Sequence, residues 1–247
     1  MIRAMIFDLD GTLVQTERLK ALSYARAAIE LCPHALSEAE VAEAFEDVVG
    51  LPRWEVAQAL VERFDLEEKA RSRMAEFGVG TPWQAFVQVR LRHYERMMAD
   101  PDILRANQWP HNVALLRQAR QSGCKTALAT MSRCQQARHV LEVLGLTEAF
   151  DFVATRDDVE HGKPDPEIYR LVARQLDIRP SESLVIEDSP SGVKAAVSAK
   201  MWCIAATTPL TRRGIHALQL LDERWIVDDP TMLTAVVRQM VAERKQD

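Results

Sequence analysis

Beyond about residue 110 the chain alternates short apolar runs with helix-patterned stretches, and few folds accept that rhythm. The runs at 125–130, 150–154, 183–187, 202–205 and 225–227 have strand length and are bounded by turn residues. Between them, 112–121 reads as a helix that stops at Gly123. A second helix ends near Gly145, and a third opens at Asp165-Pro166-Glu167 with a cap residue followed by proline at the first helical position. A fourth covers 191–199. An earlier apolar run, 2–7, halts at Asp8 and reads as a buried strand that delivers a loop. Strand and helix in alternation predict an α/β fold, an open parallel sheet with helices on both faces.

One block breaks the pattern. From 17 to 99 alanine, glutamate and arginine abound, and helices are expected over 19–31, 38–48, 54–64 and 83–98. Pro33, Gly50-Leu51-Pro52, Gly78 to Gly80 and Pro101 punctuate them. The expected division is therefore a core of 1–16 with 100–247 and an inserted all-α domain of 17–99. Trp54, Trp83 and Trp109 are read as packing residues.

Hydrophobic residues at 47% and charged residues at 27% are ordinary for a globular chain with a sizeable core. A net charge of −5 argues against a general nucleic-acid binder. Six histidines and four cysteines, without a C-x-x-C pair, are too scattered for a zinc site. The residues before Asp8 are too few for a signal peptide, and no apolar run reaches membrane-spanning length. A cytoplasmic protein, as a monomer or weak homo-oligomer without membrane or nucleic-acid partners, is the expectation.

In open parallel sheets, ligands bind beyond the carboxyl ends of the strands. Asp8 with Asp10, Thr130, Lys163, and Glu187 with Asp188 all fall at such ends or in the loops that follow. Taken singly, each is an ordinary loop residue; together they form a pattern. Crowded carboxylates repel unless a cation sits among them, and hard Mg²⁺ prefers oxygen ligands. Magnesium and Lys163 can neutralise an arriving phosphate, while Thr130 and loop N–H groups bind its oxygens. Asp8 is then free to act as nucleophile, and Asp10 can protonate the departing oxygen and later deprotonate water. Gly11 permits the sharp turn out of the site.

These residues are recognisable. Asp8-Leu9-Asp10-Gly11-Thr12, then Thr130 after Ala127-Leu128-Ala129, Gly162-Lys163-Pro164-Asp165-Pro166, and Val185-Ile186-Glu187-Asp188-Ser189-Pro190-Ser191-Gly192-Val193 resemble, in order, the four motifs of the haloacid dehalogenase superfamily in its phosphatase branch. The resemblance implies a Rossmann-like core and identifies the helical insertion with the alpha-helical cap of that superfamily. It also implies Mg²⁺ held by the Asp8 side chain, the Asp10 backbone carbonyl and Asp188, with Glu187 alongside. It extends to the subgroup of beta-phosphoglucomutases, sugar phosphatases and phosphoglycolate phosphatases. Gly50-Leu51-Pro52-Arg53 resembles the substrate-touching cap loop there, with Arg53 set to hold a distal phosphate or sugar oxygen, or else to be a solvated charge at a helix start. Arg90 falls where relatives carry a substrate-facing cation, though it also suits an ordinary charged helix. Ser132 is a further candidate for contact with phosphate.

Two positions depart from the subgroup. Lys20 stands where the mutase carries a histidine, which counts against mutase activity, and Trp109-Pro110-His111 replaces the usual Pro-Gly. The expected function is thus magnesium-dependent hydrolysis of a small phosphorylated metabolite, such as a sugar phosphate, through an aspartyl-phosphate on Asp8. The alternatives are a phosphosugar mutase, a non-catalytic binding module on the same fold and, ranked low because of Asp10, a dehalogenase.

Overall fold

A computed structural model describes residues 1–49 and 51–244. Gly50 of the loop singled out above lies outside the described residues. The chain divides into two compact units, Met1–Gln15 with Leu104–Asp247, and Thr16–Ile103.

In the first unit, six strands form one parallel sheet: β1 (Ala4–Phe7), β2 (Lys125–Ala129), β3 (Phe152–Ala154), β4 (Ser183–Glu187), β5 (Trp202–Ala206) and β6 (Ile226–Val227). Their order is β3-β2-β1-β4-β5-β6. Every residue of β1 and β4 is buried, which is why both read as unbroken apolar runs rather than as alternation. The order reverses beside β1, and that is where an open sheet leaves room for a ligand.

The second unit is built from α1 (Thr16–Leu31), α2 (Glu38–Glu46), α3 (Arg53–Arg63), α4 (Glu67–Ser72), α5 (Met74–Phe77) and α6 (Pro82–Ala99). Ser37 and Glu40 form a reciprocal capping box at the start of α2. The Tyr24 ring stacks on Phe45 at 5.4 Å and tilts against Phe86 at 5.8 Å, tying α1, α2 and α6 together. Glu30 gathers Arg73, Arg92 and His93 into one polar cluster. Helices α4 and α5 were not expected. Their stretch is mostly charged, and Ala70 is the one fully buried side chain in either, so no apolar stripe announces them. Trp54 corrects the packing expectation, since half of it is exposed.

A further helix, α7 (Pro101–Ala106), begins where a break was expected. Pro101 is the first helical residue, not a terminator, and Asp100 Oδ1 accepts the N–H groups of Asp102 and Ile103. The remaining helices are α8 (Pro110–Gln121), α9 (Cys134–Leu144), α10 (Glu167–Gln175), α11 (Pro190–Ser198), α12 (Arg212–Leu218) and α13 (Leu233–Glu243). Helix α10 starts at Glu167, one residue later than expected, while Asp165 Oδ1 still accepts the Glu167 N–H. Among the described residues no helix is long and apolar enough to cross a membrane.

Ile6, Ala127 and Val185 meet in the core beneath α10 and α11, all fully buried. Truncating Ile6 to alanine removes transferred surface and leaves a cavity that the tight sheet cannot close. Urea denaturation of Ile6→Ala is expected to show a loss of about 2–5 kcal/mol.

Candidate active site

Strand register builds the site. Phe7 pairs with Ile186, so the next residues on the two strands, Asp8 and Glu187, emerge side by side. The Asp8 N–H extends that ladder by donating to Ile186 O at 3.1 Å. Gly11, at φ +88°, then turns the chain back, its N–H donating to Val14 O at 2.7 Å. A Cβ there would lie 2.1 Å from Asp188 Oδ2, so space as well as φ demands glycine. Thr12 Oγ1 donates to Asp188 Oδ1 at 3.1 Å, and Asn112 Nδ2 pins the Thr12 carbonyl at 2.6 Å.

Asp8, Glu187 and Asp188 are all buried, and one carboxylate oxygen from each lies within 4.8 Å of the others. Ionised pairs at that range repel by roughly 3–4 kcal/mol at an effective dielectric constant of 20. Lys163 supplies a single countercharge. Its ammonium donates to Asp8 Oδ1 at 2.7 Å, Glu187 Oε1 at 2.5 Å and Ala129 O at 2.9 Å, with 3% of the side chain exposed. Burial alone would lower the lysine, but attraction to Asp8 and Glu187 raises it well above its ordinary range.

The two carboxylates on the lysine differ in their other partners. Glu187 Oε1 also accepts Tyr169 Oη at 2.8 Å, and Oε2 accepts the N–H groups of Asp188 and Ser189 and the Ser189 hydroxyl, each at 3.1 Å. Against the cost of burial, Lys163 and these donors hold Glu187 below the usual carboxylate range. Asp8 goes the other way. Burial, reinforced by Glu187 and Asp10 and opposed by Lys163, pushes it up to about 7. Asp8 is therefore short of positive charge, and a divalent cation beside Asp188 would supply it. All the candidate donors are hard oxygens, which fits such an ion.

Asp10 faces a different set of groups. Its Oδ2 accepts the Ser132 hydroxyl at 2.6 Å and the Thr130 hydroxyl at 3.3 Å, and Thr130 Oγ1 in turn accepts the Ser132 N–H at 3.0 Å. The core unit thus gathers Asp8, Asp10, Thr130, Ser132, Lys163, Glu187 and Asp188. Lys20, Arg53 and Arg90 belong to the helical unit. Lys20 lies 4.0 Å from Glu17 Oε1. Arg90 is 5% exposed, its guanidinium over the rings of Tyr24 and Tyr94 at 5.0 and 4.6 Å, and burial lowers its pKa. Arg53 is exposed at the start of α3, close enough to act on the charge states of both Tyr24 and Arg90.

Sequence reasoning gave no role to Thr12, Tyr169, Ser189 or Gly192. Ser189 caps α11 by accepting the Gly192 N–H at 3.0 Å, and a Cβ on Gly192 would lie 1.8 Å from Glu187 Oε1. Thr12, Ser189 and Gly192 had a signal, since they sit inside the recognised motifs. Tyr169 had none, because its ring occupies an ordinary apolar position of α10.

A family model described as haloacid dehalogenase-like hydrolase matches residues 2–200. A phosphorylated carbohydrates phosphatase of Thermotoga maritima is 31% identical over 198 residues, covering 80% of this chain and 82% of that protein. The fructose-1-phosphate phosphatase YqaB of Escherichia coli is 28% identical over 199 residues, covering 80% of this chain and 92% of its own. Among solved structures, one from Thermotoga maritima provisionally called a beta-phosphoglucomutase superposes with a TM-score of 0.70 at 26% identity, covering 96% of this chain and 99% of that one.

Two variants probe the cluster. Lys163→Met leaves Glu187 buried and charged without its partner, at an expected cost of about 3–5 kcal/mol at pH 7.5. In the parent chain the depressed Glu187 stabilises above the usual carboxylate range and loses that contribution as pH falls. In the variant, protonating Glu187 relieves the strain, so the gap between the two proteins should narrow toward pH 5 in urea titrations. Gly192→Ala drives a methyl group into Glu187 and should lower stability by about 1–3 kcal/mol in the same measurement.

Proposed function

Because the chain belongs to the haloacid dehalogenase-like hydrolases, we propose that it is a magnesium-dependent phosphatase of small phosphorylated metabolites, sugar phosphates foremost, working through an aspartyl-phosphate on Asp8. It is a phosphoric monoester hydrolase by family, and relatives named as phosphatases of carbohydrate phosphates and of fructose 1-phosphate support the substrate class. The observation that carries the mechanism is the meeting of the Asp8, Glu187 and Asp188 carboxylates, with the Lys163 ammonium held between Asp8 and Glu187.

Magnesium, held by Asp8, the Asp10 carbonyl and Asp188, would supply positive charge for both the nucleophile and the phosphoryl oxygens. The chain's own groups do the rest. One Asp8 oxygen attacks phosphorus as the ester P–O bond breaks, and Asp10 gives its proton to the departing oxygen. Asp10 then takes a proton from water, whose oxygen attacks the same phosphorus. The acyl phosphate bond breaks, Asp8 is restored and inorganic phosphate leaves. Thr130 and Ser132 fix Asp10 through Oδ2, which leaves Oδ1 for the proton. Lys163 steadies the charge that builds on the phosphoryl group. Glu187, already accepting five hydrogen bonds, acts by holding Lys163.

A second reading, return of the phosphoryl group to sugar in a mutase cycle, is favoured by the solved structure provisionally called a beta-phosphoglucomutase. Lys20, 4.0 Å from Glu17, weighs against it. The two separate in one experiment: a panel of sugar and other metabolite phosphates assayed for inorganic phosphate, with a coupled assay for glucose 6-phosphate from beta-glucose 1-phosphate. Phosphate release should vanish with chelator and return with Mg²⁺, and Asp8→Asn should lower it by on the order of 10³-fold or more. Full activity in Asp8→Asn would overturn the mechanism, and isomerised sugar phosphate without release would establish the mutase.

A further inference from the structure

A cavity of about 890 Å³ opens in the core unit, at the other end of the sheet from the carboxylates. Its walls come from Arg3, just before β1, from the turn 177–182 that leads into β4, from Lys200, just before β5, and from the second half of α10. These are all amino-terminal strand ends. Asp8 and Glu187 sit at the carboxyl ends, on the order of 15 Å away along the strands.

Five cations line this cavity, Arg3, Arg170, Arg174, Arg179 and Lys200, in a chain whose net charge is −5. They face two carboxylates. Glu182 is engaged, since it accepts the Arg179 guanidinium and backbone N–H and lies 3.7 Å from Arg3. Asp177 remains against Arg170, Arg174 and Lys200. The ends of α10 and α11 also point here, and helix carbonyl ends attract cations for purely structural reasons. Those carbonyls are already served. Lys125 Nζ donates to Leu176 O at 2.6 Å, and Arg170 donates to Ser198 O at 3.4 Å. The side chains of Arg174 and Lys200 are surplus to both, and neither makes a hydrogen bond or ion pair among the described residues. The floor between them is apolar, with Ala173, Ile178 and Ala199 all buried.

A concave wall with surplus cations above an apolar floor is suited to a ligand that combines several negative charges with an organic body. The geometry points to a second binding site, separate from the catalytic carboxylates, for a small molecule bearing a polyphosphate chain, with a nucleoside triphosphate as the type. Arg174, Lys200 and Arg170 take the phosphates, and the body lies against Ile178 and Pro180. The volume falls within the usual range for such ligands, roughly 300–1,000 Å³.

Calorimetric titration of the whole protein with ATP, tripolyphosphate and adenosine, in chelator and about 50 mM NaCl, tests this. ATP and tripolyphosphate should bind, adenosine should not, and raising NaCl to about 200 mM should weaken both binders several-fold. Tighter binding of ATP than of tripolyphosphate assigns the nucleotide, and equal binding assigns the phosphate chain alone. The double variant Arg174→Glu with Lys200→Glu should lose about tenfold or more in affinity, and the milder Arg174→Gln several-fold, each with the thermal midpoint of the parent. Asp8→Asn should bind ATP as the parent does. The proposal falls if neither polyphosphate binds below about 1 mM, if the double variant keeps its affinity within about twofold, or if Asp8→Asn removes the binding.

Discussion

The ammonium of Lys163 is the contact on which the carboxylate end of the core depends. Four carboxylates, at positions 8, 10, 187 and 188, are delivered to one end of the sheet by two adjacent strands, and a lysine from the loop before α10 bridges two of them, Asp8 and Glu187. Sheet geometry makes the crowding unavoidable, since parallel neighbours in register present successive residues side by side. The lysine makes the crowding tolerable, and its three acceptors saturate its three N–H groups. Tyr169 and the start of α11 then secure Glu187, so the lysine is anchored on a carboxylate that is itself immobile.

Unequal sharing is what makes the cluster chemically useful. Had all the carboxylates been satisfied equally, nothing would remain for a cation or a phosphoryl group to interact with. Glu187 accepts the lysine together with Tyr169, Ser189 and two backbone N–H groups, and Asp8, beside it with fewer donors, is left raised by burial. Environments that push neighbouring carboxyls in opposite directions divide supporting roles from reacting ones. Here the division follows from which residue reaches the N-terminus of α11 and which stops one strand away.

Most of the core was legible in the sequence because its strands are short, fully buried and separated by clear turn signals. All six strands appear where the apolar runs predict them, within a residue or two at their ends. Asp8, Thr130, Glu187 and Asp188 could be placed at the sheet's carboxyl end for the same reason, since each stands where a strand changes from apolar to polar, whereas Lys163 comes from the longer loop before α10. What escaped was tertiary. The Tyr169 hydroxyl lies on a helix whose pattern records the ring and not the oxygen, and Gly192 is required by Glu187 through space rather than by any turn. In the helical unit, α4 and α5 were missed because charged, nearly stripe-free segments carry no periodic signal, and Trp54 was misjudged because residue type says little about burial when the facing partner is unknown.

The division of the chain at residues 15 and 104 has a consequence for descent. Every oxygen and nitrogen that meets at the carboxylate cluster is encoded outside the intervening stretch, which enters and leaves the core sequence once each. Recombination at those two junctions exchanges the whole helical block without touching an atom of that cluster. A lineage carrying this plan can thus vary one contiguous segment of its gene while the carboxylate cluster is inherited intact.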